Sequence, residues 1–100
     1  MKQVTLFGKP ALLMTTEHEI NVGMGMFAQQ YYRTGIPPSL PLLFPLQGEF
    51  PTLTMEGVPF PIEVVYYDKN WRMLNSLVAS PGMSDSPIPR GTYWMYEKAI

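Results

Sequence analysis

Two periodicities of apolar residues divide the chain into strand-like and helix-like segments. In six segments, apolar and polar residues alternate or β-branched and aromatic residues cluster, as in short β-strands. These segments are 4–7, 11–15, 52–56, 62–68, 71–79 and 91–97. Turn-forming residues separate most of them, for example Gly8-Lys9-Pro10 and Asp68-Lys69-Asn70. The pattern predicts about six short strands, most of them antiparallel.

A helical period follows the second predicted strand. Apolar residues recur there at spacings of three and four, at Ile20, Met24, Phe27 and Tyr31. Thr16 and Glu19 have the spacing of a capping box, and Gly35 suits the position after a helix. Gly23 and Gly25 each cost about 1 kcal/mol relative to Ala inside a helix. We therefore expect one short helix with a break at these glycines.

The segment 36–51 is rich in proline and leucine. Proline has no N–H to donate to a β-ladder, so the segment is neither a helix nor a central strand throughout. We expect an extended, edge-like course in which 42–44 inserts into the core. The whole pattern predicts a single α+β domain over 1–100, built on a small, mainly antiparallel sheet or an incomplete barrel with one short helix.

Composition removes several classes of function. The chain has no cysteine and one histidine, which excludes disulfides, thiolate metal sites and a metal site made only of imidazoles. Its formal charge of −1 provides no basic surface for nucleic acid. No run of about 20 apolar residues spans a membrane, and no signal peptide precedes the first strand, so the default expectation is a cytoplasmic protein.

Only 15% of the residues are charged, whereas about 25% is usual, and the chain has 11 prolines and 8 methionines. Protein interfaces are depleted in Lys, Glu and Asp and enriched in Met and aromatic residues. The composition is therefore consistent with a surface for a protein partner or for self-association. A small β-fold with proline-rich loops explains it equally well.

Two sequence features suggest chemistry but have simpler explanations. Residues 23–28 match the spelling of a dinucleotide-binding loop, G-x-G-x-x-A, but no strand immediately precedes them and the helix has already begun. Glycines that allow close packing are the better interpretation, and no cofactor is predicted. His18 falls in the exposed first turn of the helix, where a solvated side chain is the simpler expectation.

Carboxylates of the predicted sheet are the remaining candidates for chemistry. Glu49, Glu56, Glu63 and Asp68 could pair across strands for acid–base work or hold a hard cation. Alternatively, Glu56, Glu63 and Asp68 could serve a small ligand in a pocket lined by Met55, Tyr66 and Trp71. The alternation of 62–66 places Glu63 opposite the face of Ile62, Val64 and Tyr66, so an ordinary solvated carboxylate is the competing interpretation. We name Met55, Glu56, Glu63, Tyr66, Asp68 and Trp71 as candidate ligand-binding residues, with no catalytic or metal-binding residue.

The stretch 55–74 resembles the signature of domain-of-unknown-function family 192, which reads approximately M-K-N-T-x-I-P-L-D-I-I-F-I-D-x-D-G-x-V-V. Six residues fall in register without a gap, namely Met55, Pro61, Ile62, Val64, Val65 and Asp68. Upstream, Thr16-x-x-Glu19-x-x-x-Gly23 is similar to the family's T-x-x-E-R-x-x-G, and Leu43-Phe44 to its L-F. Downstream, 93–97 is similar to its terminal Y-V-L-E strand. The resemblance implies a compact β-rich fold with a short helix. Because the family is uncharacterised, it implies no activity.

Two hypotheses of function follow. The first is a non-catalytic structural or interaction module of a larger assembly, such as a viral or phage particle. The second is a small-ligand-binding protein or a hydrolase-like enzyme that uses the carboxylates of the central sheet. Oligomeric state and copurifying partners discriminate between them.

Overall fold

A computed structural model describes residues 1–47, 52–84 and 86–100. Within these residues the chain forms eight strands, which are β1 (Lys2–Leu6), β2 (Lys9–Leu13), β3 (Leu42–Pro45), β4 (Thr52–Leu53), β5 (Ile62–Tyr67), β6 (Met73–Ala79), β7 (Ser86–Pro87) and β8 (Trp94–Ala99). One helical segment lies between β2 and β3. It consists of α1 (Glu17–Val22), a 3₁₀ helix (Gly23–Phe27) and α2 (Ala28–Thr34).

Six of the strands form one sheet in the order β1-β2-β3-β8-β5-β6. All neighbours in it are antiparallel except β2 and β3, which are parallel. Parallel neighbours need a long crossover connection, and the helical segment provides it. The short strands β4 and β7 pair separately. The predicted α+β class with a mainly antiparallel sheet is confirmed, and the sheet is curled but not closed into a barrel.

The helical segment begins and ends where the sequence predicts. The Thr16 hydroxyl accepts the N–H of Glu19, and the Glu19 carboxylate accepts the N–H of Thr16, which completes the capping box. The segment ends at Gly35, whose backbone is left-handed with φ of 71°. The expected break falls at the glycines, where the α-helix gives way to a 3₁₀ helix that begins at Gly23. His18 is exposed, as expected for a first-turn side chain.

The proline-rich segment corrects one expectation. It was expected to be edge-like, but β3 is an interior strand that pairs with β2 on one side and β8 on the other. Pro41 and Pro45 lie at the ends of the paired stretch, so the missing N–H groups interrupt little of the ladder. The carbonyl of Pro41 even accepts the N–H of Leu12 at 2.9 Å. Residues 48–51 of this segment lie outside the described residues.

Several strand limits also differ from the sequence pattern. The predicted strand 52–56 shortens to β4. Met55 lies outside the ladder, and its carbonyl accepts the N–H of Val58 in a turn. The segment 71–79 loses its first two residues, since Trp71 adopts a left-handed backbone with φ of 63° in the turn after β5. The closing strand begins at Trp94 and runs to Ala99. Two strands that were not among the predicted six, β3 and β7, raise the strand count to eight.

The main core lies between the helical segment and one face of the sheet. On this face, cross-strand register aligns Leu42, Glu97 and Val64, and next to them Phe44, Met95 and Tyr66. The helical segment contributes Met24, which is buried, and Tyr31, whose ring meets Phe60 edge-on at 5.2 Å. We call this side of the sheet the covered face, and the opposite side the open face.

An aromatic contact across the open face curls the sheet. The ring of Phe7, in the turn between β1 and β2, lies 5.7 Å from that of Tyr67 and 5.6 Å from that of Trp71. Trp71 also stacks on Trp94 at 4.9 Å. The β1–β2 turn thereby reaches the turn between β5 and β6. Both Phe7 and Trp71 have positive φ, and such strain persists only where surrounding contacts hold it.

Truncating Val64 to Ala tests the assignment of the two faces. Val64 is fully buried on the covered face, so Val64→Ala is expected to lower the free energy of unfolding by roughly 1–3 kcal/mol through lost transfer energy and a cavity. Val22→Ala at the end of α1 removes the same atoms from a side chain that is 36% exposed, and serves as the matched control. Chemical denaturation measures both. Equal effects of the two variants would mean that the faces are assigned wrongly.

Candidate functional site: a buried glutamate over a cavity

A cavity of about 160 Å³ lies between the helical segment and the covered face of the sheet. Its walls combine polar groups with apolar side chains that come from elements distant in sequence. They include Ile20, Met24, Phe44, Leu53, Met55, Val58, Ile62, Ile88 and Met95. One acidic side chain, Glu97 of β8, lines the same cavity.

Glu97 is buried because of the alternation of β8. Met95 and Ala99 point to the covered face, so Glu97 between them does too. Its cross-strand neighbours are Leu42 and Val64, both completely buried. The glutamate is itself only 4% exposed. A carboxyl therefore occupies a core position of the kind usually held by an aliphatic residue.

Burial alone shifts the acidity of this group. Desolvation disfavours the charged carboxylate and raises the pKa of Glu97 from 4.5 to about 8. Among the described residues, no Lys, Arg or His forms an ion pair with it and no hydrogen bond to its carboxyl is found. Glu97 is thus largely protonated at neutral pH.

Tyr66 is the titratable side chain coupled to Glu97. Burial, and secondarily the negative charge of Glu97, raise the pKa of Tyr66 to about 12. The Tyr66 hydroxyl is buried and has no hydrogen-bond partner among the described residues. The covered face therefore holds two polar groups whose ionisation is suppressed.

A glycine allows the helical segment to approach Glu97. Gly23 is buried and has a left-handed φ of 54°. A Cβ at this position would lie 3.1 Å from Cζ of Phe44 and 3.9 Å from Oε1 of Glu97. The break between α1 and the 3₁₀ helix thus brings backbone, rather than a side chain, against the cavity. Close packing accounts for this glycine of the G-x-G-x-x-A spelling.

The structure does not bring the six candidate ligand-binding residues into one pocket. Met55 lines the cavity near Glu97, and Tyr66 is buried on the covered face. Glu63 is exposed on the open face, as the alternation predicts, where it lines a groove of about 560 Å³. Glu56 is exposed in a turn. The carboxylates are therefore distributed between different surfaces.

Asp68 and Trp71 belong to the turn between β5 and β6. The Asp68 carboxylate accepts the N–H groups of Asn70 at 2.8 Å and Arg72 at 3.0 Å. The hydrogen bond from Arg72 is the main reason that the pKa of Asp68 is lowered. This carboxylate organises the turn, and Trp71 packs on its aromatic neighbours. Glu49, the remaining candidate carboxylate, lies outside the described residues.

The groove on the open face is lined by residues of mixed character. Ala11, Val65, Tyr67 and Tyr96 line it together with Glu63, Lys9 and Lys98. Burial, and then the charge of Glu63, raise the pKa of both Tyr67 and Tyr96. Glu63 and Lys98 are direct cross-strand neighbours. Opposite charges at directly paired positions attract each other across the strands.

The sequence interpretation missed Glu97, although a signal for it was present. The closing strand was identified, and if Met95 is assigned to the core, then alternation assigns Glu97 to the core too. The sequence does not show that the helical segment covers this part of β8. It also does not show that the fold leaves the Glu97 carboxyl without a cation beside it among the described residues.

Comparisons with known proteins give no match to a family model, a curated protein or a solved structure. The resemblance to domain-of-unknown-function family 192 therefore stays a prediction. Among residues 1–47, 52–84 and 86–100, no group of three or more His, Cys, Asp or Glu side chains could hold a metal ion. Within the same residues, no helix has the length and apolarity needed to cross a membrane.

The raised pKa of Glu97 predicts a specific pH dependence of stability. Between about pH 4.5 and 8 the unfolded chain has lost this proton while the folded chain retains it, so stability falls as pH rises, by up to about 1.4 kcal/mol per pH unit. Glu97→Gln is expected to flatten this slope between pH 5 and 8. Denaturant unfolding at several pH values measures it.

Glu63→Gln, on the open face, is the control for this experiment. Glu63 is exposed, so its replacement should leave the slope unchanged. The carboxyls of lowered pKa, Glu19 and Asp68, titrate below this window and do not contribute to it. An equal slope in wild type and Glu97→Gln would contradict the assignment.

Proposed function

We propose that this protein is a non-catalytic interaction module that assembles through the edge strand β6, and that its partner there is a second copy of the same chain. The observation that carries the proposal is the composition of this edge. β6 runs for seven residues, Met73–Ala79, without a charged residue or a proline. It pairs with β5 on one side and ends the sheet on the other.

Unprotected edge strands are unusual in proteins that remain monomeric. Edges are ordinarily blocked by Lys, by proline, by a short length or by a covering element, because their free N–H and C=O groups pair with other strands. The opposite edge, β1, carries Lys2. On β6, by contrast, Met73 and Val78 are 64% and 60% exposed. The edge thus combines free backbone groups with apolar side chains.

Symmetry favours a second copy as the partner. In an antiparallel pair centred on Ser76, Leu74 of one chain faces Val78 of the other, and the same contact occurs twice. Both side chains are exposed in the single chain and belong to the same alternating set as Ser76. With no charge in the strand, self-pairing brings no like charges together. Two six-stranded sheets would then continue into one another.

This proposal is one form of the broader expectation of an assembly component. A structural role in a viral or phage particle is a narrower form of this expectation, and no contact among the described residues supports it. The alternative of a hydrolase-like enzyme loses support, because Glu56, Glu63 and Asp68 lie at different places on the surface.

The test is the molar mass of the purified chain in solution as a function of concentration. Sedimentation velocity is expected to show a dimer at high micromolar concentration. Val78→Lys places a charge in the paired edge and should shift the chain to monomer, because two lysines would be desolvated next to apolar side chains. Thr5→Lys adds the same charge to the exposed side of β1 and should leave the dimer intact.

Two results would overturn the proposal. One is a wild-type chain that remains monomeric up to millimolar concentration. The other is a dimer that persists in Val78→Lys but is lost in Thr5→Lys, which would place the contact on the opposite edge.

A further inference from the structure

We propose that the cavity over Glu97 is a binding site for a small primary amine with an apolar body about the size of benzene. The inference does not depend on the pairing of β6, which lies at the edge of the sheet. It rests on the size of the cavity, on its lining and on the buried carboxyl that faces it.

The volume fixes the size of the ligand. The cavity measures about 160 Å³. An engineered protein cavity of about 150 Å³ with Leu, Ile and Phe walls binds benzene. Phe44, Leu53 and Ile62 provide apolar walls of the same kind here, and polar groups line the rest of the cavity. An apolar body of six to eight heavy atoms is therefore the expected fit.

The lining provides an entrance as well as an interior. Asn21, Thr52 and Thr54 line the cavity and are exposed, so they form a polar rim open to solvent. Phe44 and Ile62, in contrast, are each 1% exposed. A molecule entering from the rim would pass from polar to apolar surroundings and meet the Glu97 carboxyl.

The charge of the ligand follows from what surrounds Glu97. The helical segment, β3, the β4 region and β5 all contribute to the lining, and the residues they contribute carry no Lys, Arg or His. The titratable group that the charge of Glu97 affects is Tyr66, which is not a cation. A carboxyl already removed from water gains most from a ligand that supplies a positive charge and N–H donors.

Binding of an amine requires a balanced proton transfer and no covalent step. The ligand enters as an ammonium ion, Glu97 releases its proton to solvent, and an ammonium–carboxylate pair remains. Each bound amine then releases close to one proton below pH 8, because burial keeps free Glu97 protonated there. Affinity for the amine should therefore increase with pH, whereas affinity for a neutral molecule of the same shape should not.

Three probes of nearly equal size test this inference. Benzylamine, benzyl alcohol and toluene differ in the group that would meet Glu97. Protein NMR titrations at pH 6, 7 and 8 are expected to show a benzylamine affinity that increases about tenfold from pH 6 to 7 and further to pH 8. Benzyl alcohol and toluene should bind more weakly at pH 8, with no pH dependence.

Matched variants assign the effect to one carboxyl. Glu97→Gln should abolish both the preference for benzylamine and its pH dependence, whereas Glu63→Gln, on the open face, should retain both. Calorimetry of the wild type in two buffers of different ionisation enthalpy measures the released proton directly, so the inference can be tested even if Glu97→Gln folds poorly.

The inference is wrong if benzyl alcohol binds as tightly as benzylamine at pH 8, or if benzylamine binding releases no proton. It is equally wrong if none of the three probes perturbs the resonances of cavity residues such as Met55 and Ile88. Binding of toluene and benzyl alcohol alone would show an apolar cavity without a role for Glu97.

Discussion

The Glu97 carboxyl lies in the middle of the sheet, under the helical segment, without a compensating charge among the described residues. Its position follows from the backbone, since β8 pairs with both β3 and β5 and its alternation points Met95, Glu97 and Ala99 to the covered face. Without a bound cation, the helical segment packs over this carboxyl in its protonated form. Gly23 makes the same packing sterically possible, because a Cβ at that position would lie too close to Phe44.

Burying an acid of this kind lowers the free energy of unfolding, which is small in a domain of this size. The free energy of unfolding of a small protein is about 5–15 kcal/mol. A core carboxyl that stays protonated at a pH where the unfolded chain ionises it reduces this free energy by a substantial fraction. An aliphatic residue at this position would avoid the cost. Proteins depart from such local rules most often at functional sites. The cavity next to Glu97 provides a reason for the departure, because it gives the carboxyl a place to meet a ligand.

The two proposals use separate parts of the molecule. The edge of β6 concerns how copies of the chain meet, through backbone groups and the exposed side chains of Leu74 and Val78. The cavity concerns a ligand held between the layers of a single copy. The open face does not link the β6 edge to the cavity. Its aromatic cluster of Phe7, Tyr67 and Trp71 has a structural role in curling the sheet. Rings 5.6–5.7 Å apart pack on each other and leave no room between them for a ligand.

Local signals were sufficient for much of the fold. The capping box at Thr16, the break at Gly23 and the burial of Ile62, Val64 and Tyr66 follow from spacing and from side-chain alternation. The interior position of β3 could not be predicted, because it depends on where the helical crossover returns the chain rather than on the residues of the strand. The dispersal of the candidate ligand-binding residues has a similar cause. Carboxylates near one another in sequence, such as Glu63 and Asp68, diverge when a strand alternates and turns, while Glu97 reaches the core through pairing with distant strands.

The most direct test of this account is a carboxyl-carbon NMR titration of Glu97 in the folded protein, with Glu63 followed in the same spectra. The account predicts a midpoint near pH 8 for Glu97. A midpoint near the ordinary value of 4.5 would mean that the carboxyl is solvated or paired, and would contradict both its burial beneath the helical segment and its role at the cavity.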